Sequence, residues 1–433
     1  MNLTNQTSVG KNANLATGDN RRSKDLTWLA YMPFAVFPVA LCPKAMQLAL
    51  FAFLVIVLAV KFGRHGMMSL TFGLVEGLLF CFLFVYLLSI LLNSSQAEQS
   101  RVFAAFNTWA IWMIAVLLYS FFRQAQIDCS IVSKIAFLNI VLLVVLSLTY
   151  YSGIVLSLPW DARTLSGVDW INGERSTRFH CFLEYSTLVA AAYFILFPVS
   201  LRTVVNCRFS GLAYGYCILA LIPVVACSSR TGILFGVAST FAAILYINEL
   251  RGDGKLSRNT KLFFAFIVAV TFVVLYHSEI VATVEELLGS RQGSTDTRRS
   301  LYEYTFAHVM DSSPVFGCGI KDTVAQFGSA VPVGSHSTYL GILYRTGVVG
   351  LALFLSALFV LAKKIVTTGA KDRTRPYRAF FMLLCCIFFL TEDIDGADWL
   401  LVCSLSVAGL LSNFVFGAAS RDNSAQIAGR VRL

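Results

Sequence analysis

The stretch Gly334-Ser-His336-Ser-Thr-Tyr339-Leu-Gly-Ile-Leu-Tyr-Arg345-Thr-Gly347-Val-Val-Gly350 decides how this chain is read. A long polar segment ends at a lone histidine, and an apolar run begins directly after it. An ionisable imidazole is therefore expected at the mouth of a membrane span, where proton affinity and orientation are easily tuned. Working outward, the polar segment reaches back to 278 and the apolar run continues to 362.

Composition extends that reading to the whole chain. Of 433 residues, 57% are hydrophobic and only 13% charged, and the mean hydropathy is +0.71. Soluble domains carry about a quarter charged residues. The expected class is thus an all-α, polytopic integral membrane protein rather than a soluble multidomain enzyme. The net charge of +10 does not point to nucleic acid, because the positive residues fall largely in short loops between apolar runs. The eleven cysteines lie mostly inside those runs, with Cys318 the exception in a long polar segment, so no disulfide framework is expected. The first 25 residues are polar, contain Lys11, Arg21, Arg22 and Lys24, and lack the apolar core of a cleavable signal.

About twelve runs are long enough, or nearly so, to cross a bilayer. They fall at 26–42, 45–60, 67–92, 102–122, 135–156, 179–201, 212–226, 233–247, 262–277, 338–362, 379–390 and 399–417, with Pro43 and Ser228 dividing two longer stretches. With the N-terminus inside, the inner loops at 61–66, 123–134, 202–211, 249–261 and 363–378 carry most of the lysine and arginine. The short outer connections carry few, among them Lys44, Arg101 and Arg230. This bias predicts both termini in the cytoplasm. The organisation expected is a cytoplasmic tail at 1–25, a bundle at 26–277 with an outer loop at 157–178, a large periplasmic loop at 278–337, C-terminal spans at 338–417 and a tail at 418–433. An amphipathic helix is expected near 297–310 inside the large loop.

On this topology several cations converge on the outer face. Arg178 opens the span after the first outer loop, and Arg230 sits in Cys227-Ser-Ser-Arg230-Thr-Gly232 where two short apolar runs meet. Arg291, Arg298 and Arg299 lie in the large loop, which His336 closes. An arginine inside the membrane costs about 2.5–3.5 kcal/mol on insertion scales. Guanidinium forks match phosphate oxygens bidentately. The pattern therefore points to a lipid-linked phosphate or diphosphate, with His336 as a base toward an incoming hydroxyl.

Plainer readings compete at each position. A boundary arginine can anchor to lipid or snorkel, which applies most to Arg291 and Arg175. It applies less to Arg230, because a Ser-Ser-Arg-Thr-Gly break is tolerable only where the backbone is shielded from lipid. His180 is a second candidate, while His65, His277 and His308 have no special setting. His336 stands out because Gly334, Ser335 and Ser337 leave room around it. Arg345 lies about 13 Å along a helix from His336. It could reach the same cavity, or pair with a carboxylate such as Glu76 or Glu184. Asp393 and Asp395 have the spacing of a metal-binding pair, but short acidic loops are ordinary on the outer side. No metal is assigned. Walker, dinucleotide, zinc and nucleophile-elbow motifs are absent.

At these residues the chain resembles the O-antigen ligase and O-antigen polymerase superfamily of bacterial membrane glycosyltransferases. The family's His-Asn-Ser-Tyr-Leu-like segment and following Thr-Gly turn are matched by His336-Ser337-Thr338-Tyr339-Leu340 and Thr346-Gly347-Val-Val-Gly350. Its Ser-Arg-Thr/Gly segment is matched by Ser229-Arg230-Thr231-Gly232, and its helix-opening arginine by Arg178-Phe179. The loop arginine matches Arg298, or Arg299 in the neighbouring register, followed by Tyr302 and Pro314-Val-Phe-Gly317-Cys-Gly319. Ser337 departs from the family's asparagine.

The resemblance implies a GT-C-like inner-membrane enzyme that transfers glycan from an undecaprenyl-diphosphate carrier to an acceptor hydroxyl. It implies no metal and no cofactor. Arg178, Arg230, Arg298 or Arg299 would hold the diphosphate and His336 would serve the acceptor, with Arg291, Arg345 and Tyr339 lining the cavity. Expected partners are the lipid-linked glycan, membrane lipid, and a flippase and chain-length regulator, with no nucleic acid. Polymerisation of exopolysaccharide repeat units is the first reading. A ligase acting on lipid A core is the alternative within the class, and a flippase for the same lipid the alternative outside it.

Overall fold

The computed structural model describes residues 28–64, 72–125, 127–156, 166–171, 174–207, 209–251, 292–324, 331–333, 336–367 and 375–412. Both tails, the expected span at 262–277 and Arg291 lie outside the described residues.

After a 3₁₀ turn at Leu29–Phe34, the first helices are α1 (Val36–Ala40), α2 (Lys44–Arg64), α3 (Leu74–Asn93), α4 (Gln99–Gln124) and α5 (Cys129–Leu156). A hairpin follows, β1 (Ser166–Ile171) with β2 (Glu174–Phe179). Next come α6 (Thr187–Val205), α7 (Ser210–Leu219), α8 (Ile222–Ala226) and α9 (Arg230–Arg251). The polar helix α10 (Gln292–Ser312), a two-residue ladder of β3 (Thr323–Val324) and β4 (Val331–Pro332), and helices α11 (Thr338–Thr367), α12 (Arg375–Phe388) and α13 (Asp398–Leu411) complete the order.

Among the described residues, six helices are long and apolar enough to cross a membrane: α3, α4, α5, α6, α9 and α11. Large side chains such as Phe84, Phe103, Leu138, Leu234 and Phe359 point outward on five of them. Such widespread apolar exposure is sustained by lipid, not water. The protein is a membrane protein, mostly helical.

The core of the bundle lies where α3, α4, α11 and α13 meet. Trp112 packs edge-to-face with both Phe82 and Phe354 there, at ring-centroid distances of 5.3 and 5.8 Å, the arrangement that ring quadrupoles favour. A second contact joins α5 to α6, whose run of small and aromatic residues is almost wholly buried.

Several expectations change. The run at 26–42 is no single span: Pro33, Pro38 and Pro43 divide it into the 3₁₀ turn, α1 and the start of α2, since each proline removes a helix donor. The stretch 212–247 breaks at Ser228, as expected, but also at Ala220–Leu221. The expected runs at 379–390 and 399–417 fall on α12 and α13, each 14 residues, with 413–417 outside the described residues. The described residues are mostly helical, as expected of an all-α membrane protein, and two short two-stranded ladders accompany the helices. The helix expected near 297–310 is present as α10.

Candidate functional site

His336 occupies a turn immediately before α11, with φ = 64°. A left-handed backbone costs a non-glycine residue about 1–2 kcal/mol, so something must hold it. One restraint is Tyr302 of α10, whose hydroxyl donates to the His336 carbonyl at 2.6 Å. The other lies in the loop between α12 and α13. The Thr338 amide donates to the Phe389 and Glu392 carbonyls at 3.1 and 3.0 Å. Its hydroxyl donates to the Glu392 carbonyl at 2.7 Å and accepts from the Ile394 amide at 2.9 Å. A helix start leaves orphan N–H groups, and here the 389–397 loop supplies one acceptor after another.

The same loop reaches the arginine side. The Thr391 hydroxyl donates to that of Thr231, beside Arg230, at 3.4 Å. Thr187 at the start of α6 donates to Glu392 Oε2 at 2.8 Å. Cys227, buried in the break between α8 and α9, has its pKa raised to about 12, mainly by burial and also by the Glu392 charge, while Arg178 opposes the shift. Arg178, Cys227 and Glu392 are therefore neighbours. Residues from β2, the α8–α9 break and the α12–α13 loop meet at the end of the bundle that carries His336.

Two ion pairs fasten this loop. Lys321 Nζ meets Asp393 Oδ2 at 2.8 Å, and Arg345 pairs with Asp395. The Trp112 indole donates to Asp395 Oδ2 at 3.1 Å, and the Arg345 guanidinium lies 5.6 Å over the Tyr86 ring. Burial drives the Asp393 pKa up to about 6 despite Lys321, with repulsion from Asp395 adding to the rise. Burial acts the same way on Asp395, but Arg345 and then Lys321 outweigh it and hold that carboxyl below the usual range.

The Pro314-to-Gly319 motif has a packing role. Helix α11 kinks at Gly347, where φ is 64° and ψ −166°. The 313–319 turn nests in the kink. The Cys318 and Gly319 amides donate to the Tyr344 and Arg345 carbonyls at 2.7 and 3.1 Å, and the Val348 amide donates to the Pro314 carbonyl at 2.9 Å. This nesting delivers Lys321 to the site.

The predicted residues divide. Arg178 is in strand β2, opposite Gly167, not at a helix start; α6 begins nine residues later at Thr187. The polar 180–186 turn, with left-handed Cys181 and Phe182, intervenes. Arg230 opens α9 and Arg298 lies on α10; both side chains lie outside the described residues, as does Arg291. Arg299 is exposed and pairs with Glu303 at 2.9 Å, one helical turn on. Arg345 pairs with neither Glu76 nor Glu184: Glu76 meets Arg123, and Glu184 accepts from Trp399 at 3.2 Å. Both are far from Arg345 in sequence, and only packing selects Asp395. Asp393 and Asp395 face Lys321 and Arg345, respectively. His180 bonds through Nδ1 to the Leu183 carbonyl at 2.7 Å within its turn. His308 does have a setting, stacked between Tyr304 and Tyr344 at centroid distances of 5.7 and 5.9 Å.

Sequence reasoning missed Lys321, Thr338 and Glu392. The available signal was Thr391-Glu-Asp-Ile-Asp-Gly-Ala-Asp398, a dense acidic cluster between two apolar runs.

Tyr339, whose hydroxyl donates to the Cys386 carbonyl at 2.9 Å, borders an apolar cavity of about 160 Å³. Its walls run from Thr338 and Ile394 at the His336 end to Ile365 and Arg378 at the other.

Fold and site define a polytopic helical membrane protein with a polar, charged hub at one end of its bundle. Residues 215–355 match the family model described as O-antigen ligase, which supports the O-antigen ligase and polymerase superfamily for this chain. The matched segment contains Arg230, Arg298, His336 and Arg345; Arg178 and the 389–397 loop lie beyond it. Among curated proteins, none matches the chain significantly.

Proposed function

We propose that the protein polymerises undecaprenyl-diphosphate-linked repeat units into an exopolysaccharide or surface polysaccharide at the periplasmic face of the inner membrane, with both termini cytoplasmic. The observation that carries this reading is the 389–397 loop, which hydrogen-bonds to Thr338 beside His336 and to Thr231 beside Arg230. A base and a phosphate ligand held by one loop are the two parts the transfer needs.

In the proposed step, the acceptor hydroxyl attacks the anomeric carbon of the donor sugar. The bond from that carbon to the diphosphate oxygen breaks, and the lipid diphosphate leaves with its electron pair. Neutral His336 takes the hydroxyl proton. Arg178, Arg230 and Arg298 stabilise the charge growing on the leaving group. The apolar cavity beginning at Thr338 offers the prenyl chain a path beside the reacting end. Fixed arginines supply the electrophilic role in this scheme, so it assigns none to a metal.

The test is purified protein in detergent with synthetic undecaprenyl-diphosphate repeat units. Wild type should extend them, and His336→Ala should do so about 10²–10⁴-fold more slowly. In cells, His336→Ala should accumulate single lipid-linked repeats that periplasmic enzymes can reach. A flippase predicts repeats trapped on the cytoplasmic leaflet, and a ligase predicts transfer to lipid A core without extension. Sidedness is checked with impermeant maleimide on permeabilised outer membranes, which should label a cysteine at Ser294 and not one at Thr368.

A further inference from the structure

Lys321, Asp393, Arg345 and Asp395 take no part in the transfer as written, yet their side chains are only 23%, 9%, 4% and 2% exposed. Burying charges costs several kcal/mol per ion, and well-packed apolar residues often serve stability as well. Four such groups therefore call for a geometric reason.

Both cations come from one unit. Lys321 follows two residues after the 313–319 turn that nests in the α11 kink, and Arg345 lies beside that kink, its carbonyl accepting from Gly319 and its Nε donating to the Gly341 carbonyl at 3.0 Å. Both carboxylates come from another unit, the 389–397 loop. The Thr338 hydrogen bonds join the two units at one place, and the two ion pairs add two further points that fix their mutual orientation. That orientation sets where the loop meets Thr338, and so where the strained His336 turn stands relative to Thr231 and Arg230.

We propose that Lys321–Asp393 and Arg345–Asp395 are positioning pairs, which hold His336 against the arginine side in the geometry for transfer. The proposal rests on His336 serving the acceptor. Misplacing a catalytic group by 1 Å can cost about 100-fold in rate. Removing either pair should therefore lower kcat without removing a contact to the donor.

The variants are Lys321→Gln, Lys321→Arg and the double Arg345→Gln/Asp395→Asn, whose neutral partners leave no buried charge alone. Each is assayed for extension rate and melting temperature. Lys321→Gln and the double variant should lose about 10- to 100-fold in kcat, with donor KM within about threefold of wild type. Lys321→Arg should recover most of the rate, because it restores the pair with Asp393. Added to His336→Ala, Lys321→Gln should cause no further loss of the residual rate, since it acts through His336.

Full activity of Lys321→Gln and the double variant beside a strongly slowed His336→Ala would overturn the positioning role and leave the function intact. So would a Lys321→Gln loss that multiplies in the His336→Ala background, or one matched by a fall in melting temperature and not recovered by arginine. Wild-type extension by His336→Ala would instead remove the base, and the reading on which this proposal rests.

Discussion

Gly347→Ala should undock the 313–319 turn from α11. At φ 64° and ψ −166° Gly347 occupies a region essentially confined to glycine, where another residue costs about 1–3 kcal/mol. An added Cβ would also collide with the Val315 carbonyl and the Gly317 amide. These are backbone atoms, so no rotamer change relieves the clash, and the turn must lift. Lifting forfeits four backbone hydrogen bonds of 2.7–3.3 Å, made by the amides of Cys318, Gly319, Val348 and Val349. At about 0.5–1.5 kcal/mol each, their loss and the strain together come to at least about 3 kcal/mol. That shifts the docking equilibrium by more than about 100-fold. Cys318 reports it locally. Its thiol lies 3.3 Å from Ser312 Oγ, and burial raises its pKa, so undocking both exposes it and restores its thiolate. Maleimide labelling of Cys318, with the other cysteines replaced, should accelerate, and polymer formation should fall because Lys321 is no longer delivered. Wild-type labelling and melting within about 1 °C would refute the argument, since an effect of this size moves a large domain by several degrees.

Four further outcomes are expected. The Asp393 carboxyl, pushed to about 6 from 3.8, is more readily ionised unfolded than folded; its contribution to stability is full below its unfolded pKa and is lost as pH rises through about 6. Melting scanned from pH 4 to 7.5 should therefore show a fall that Asp393→Asn flattens. Tyr302→Phe removes the 2.6 Å bond to the His336 carbonyl, worth about 0.5–1.5 kcal/mol, and should lower kcat by about two- to tenfold at unchanged membrane level. Arg230→Lys should be as inactive as Arg230→Ala, because a point charge cannot replace a bidentate fork; full activity in the lysine variant would reduce Arg230 to a general positive charge. Arg299→Ala should stay within about twofold of wild type, since an exposed i,i+4 pair contributes little, while Arg298→Ala should abolish extension.

The helices were largely legible because they depend on nearest neighbours. Runs such as 102–122 and 135–156 appear as α4 and α5 with ends extended by a few residues, and the polar 297–310 helix as α10. Span hydropathy and turn signals such as Pro43 and the Ser228 break are local properties. The prolines that divide 26–42 were equally visible, but run length alone did not weigh them.

What the sequence determined by itself is the membrane class, the family resemblance and the place of the His336 junction between a polar segment and an apolar helix, each carried by composition or a contiguous motif. Only the tertiary structure decided what holds that junction. Thr338 is capped by a loop more than fifty residues further on, Arg345 chooses Asp395 over Glu76 and Glu184, and Lys321 arrives through a kink at Gly347. A buried charge states in sequence only that a partner must exist. Which partner it meets follows from how the helices pack, because Coulomb attraction and hydrogen bonding act through distances that sequence separation does not encode.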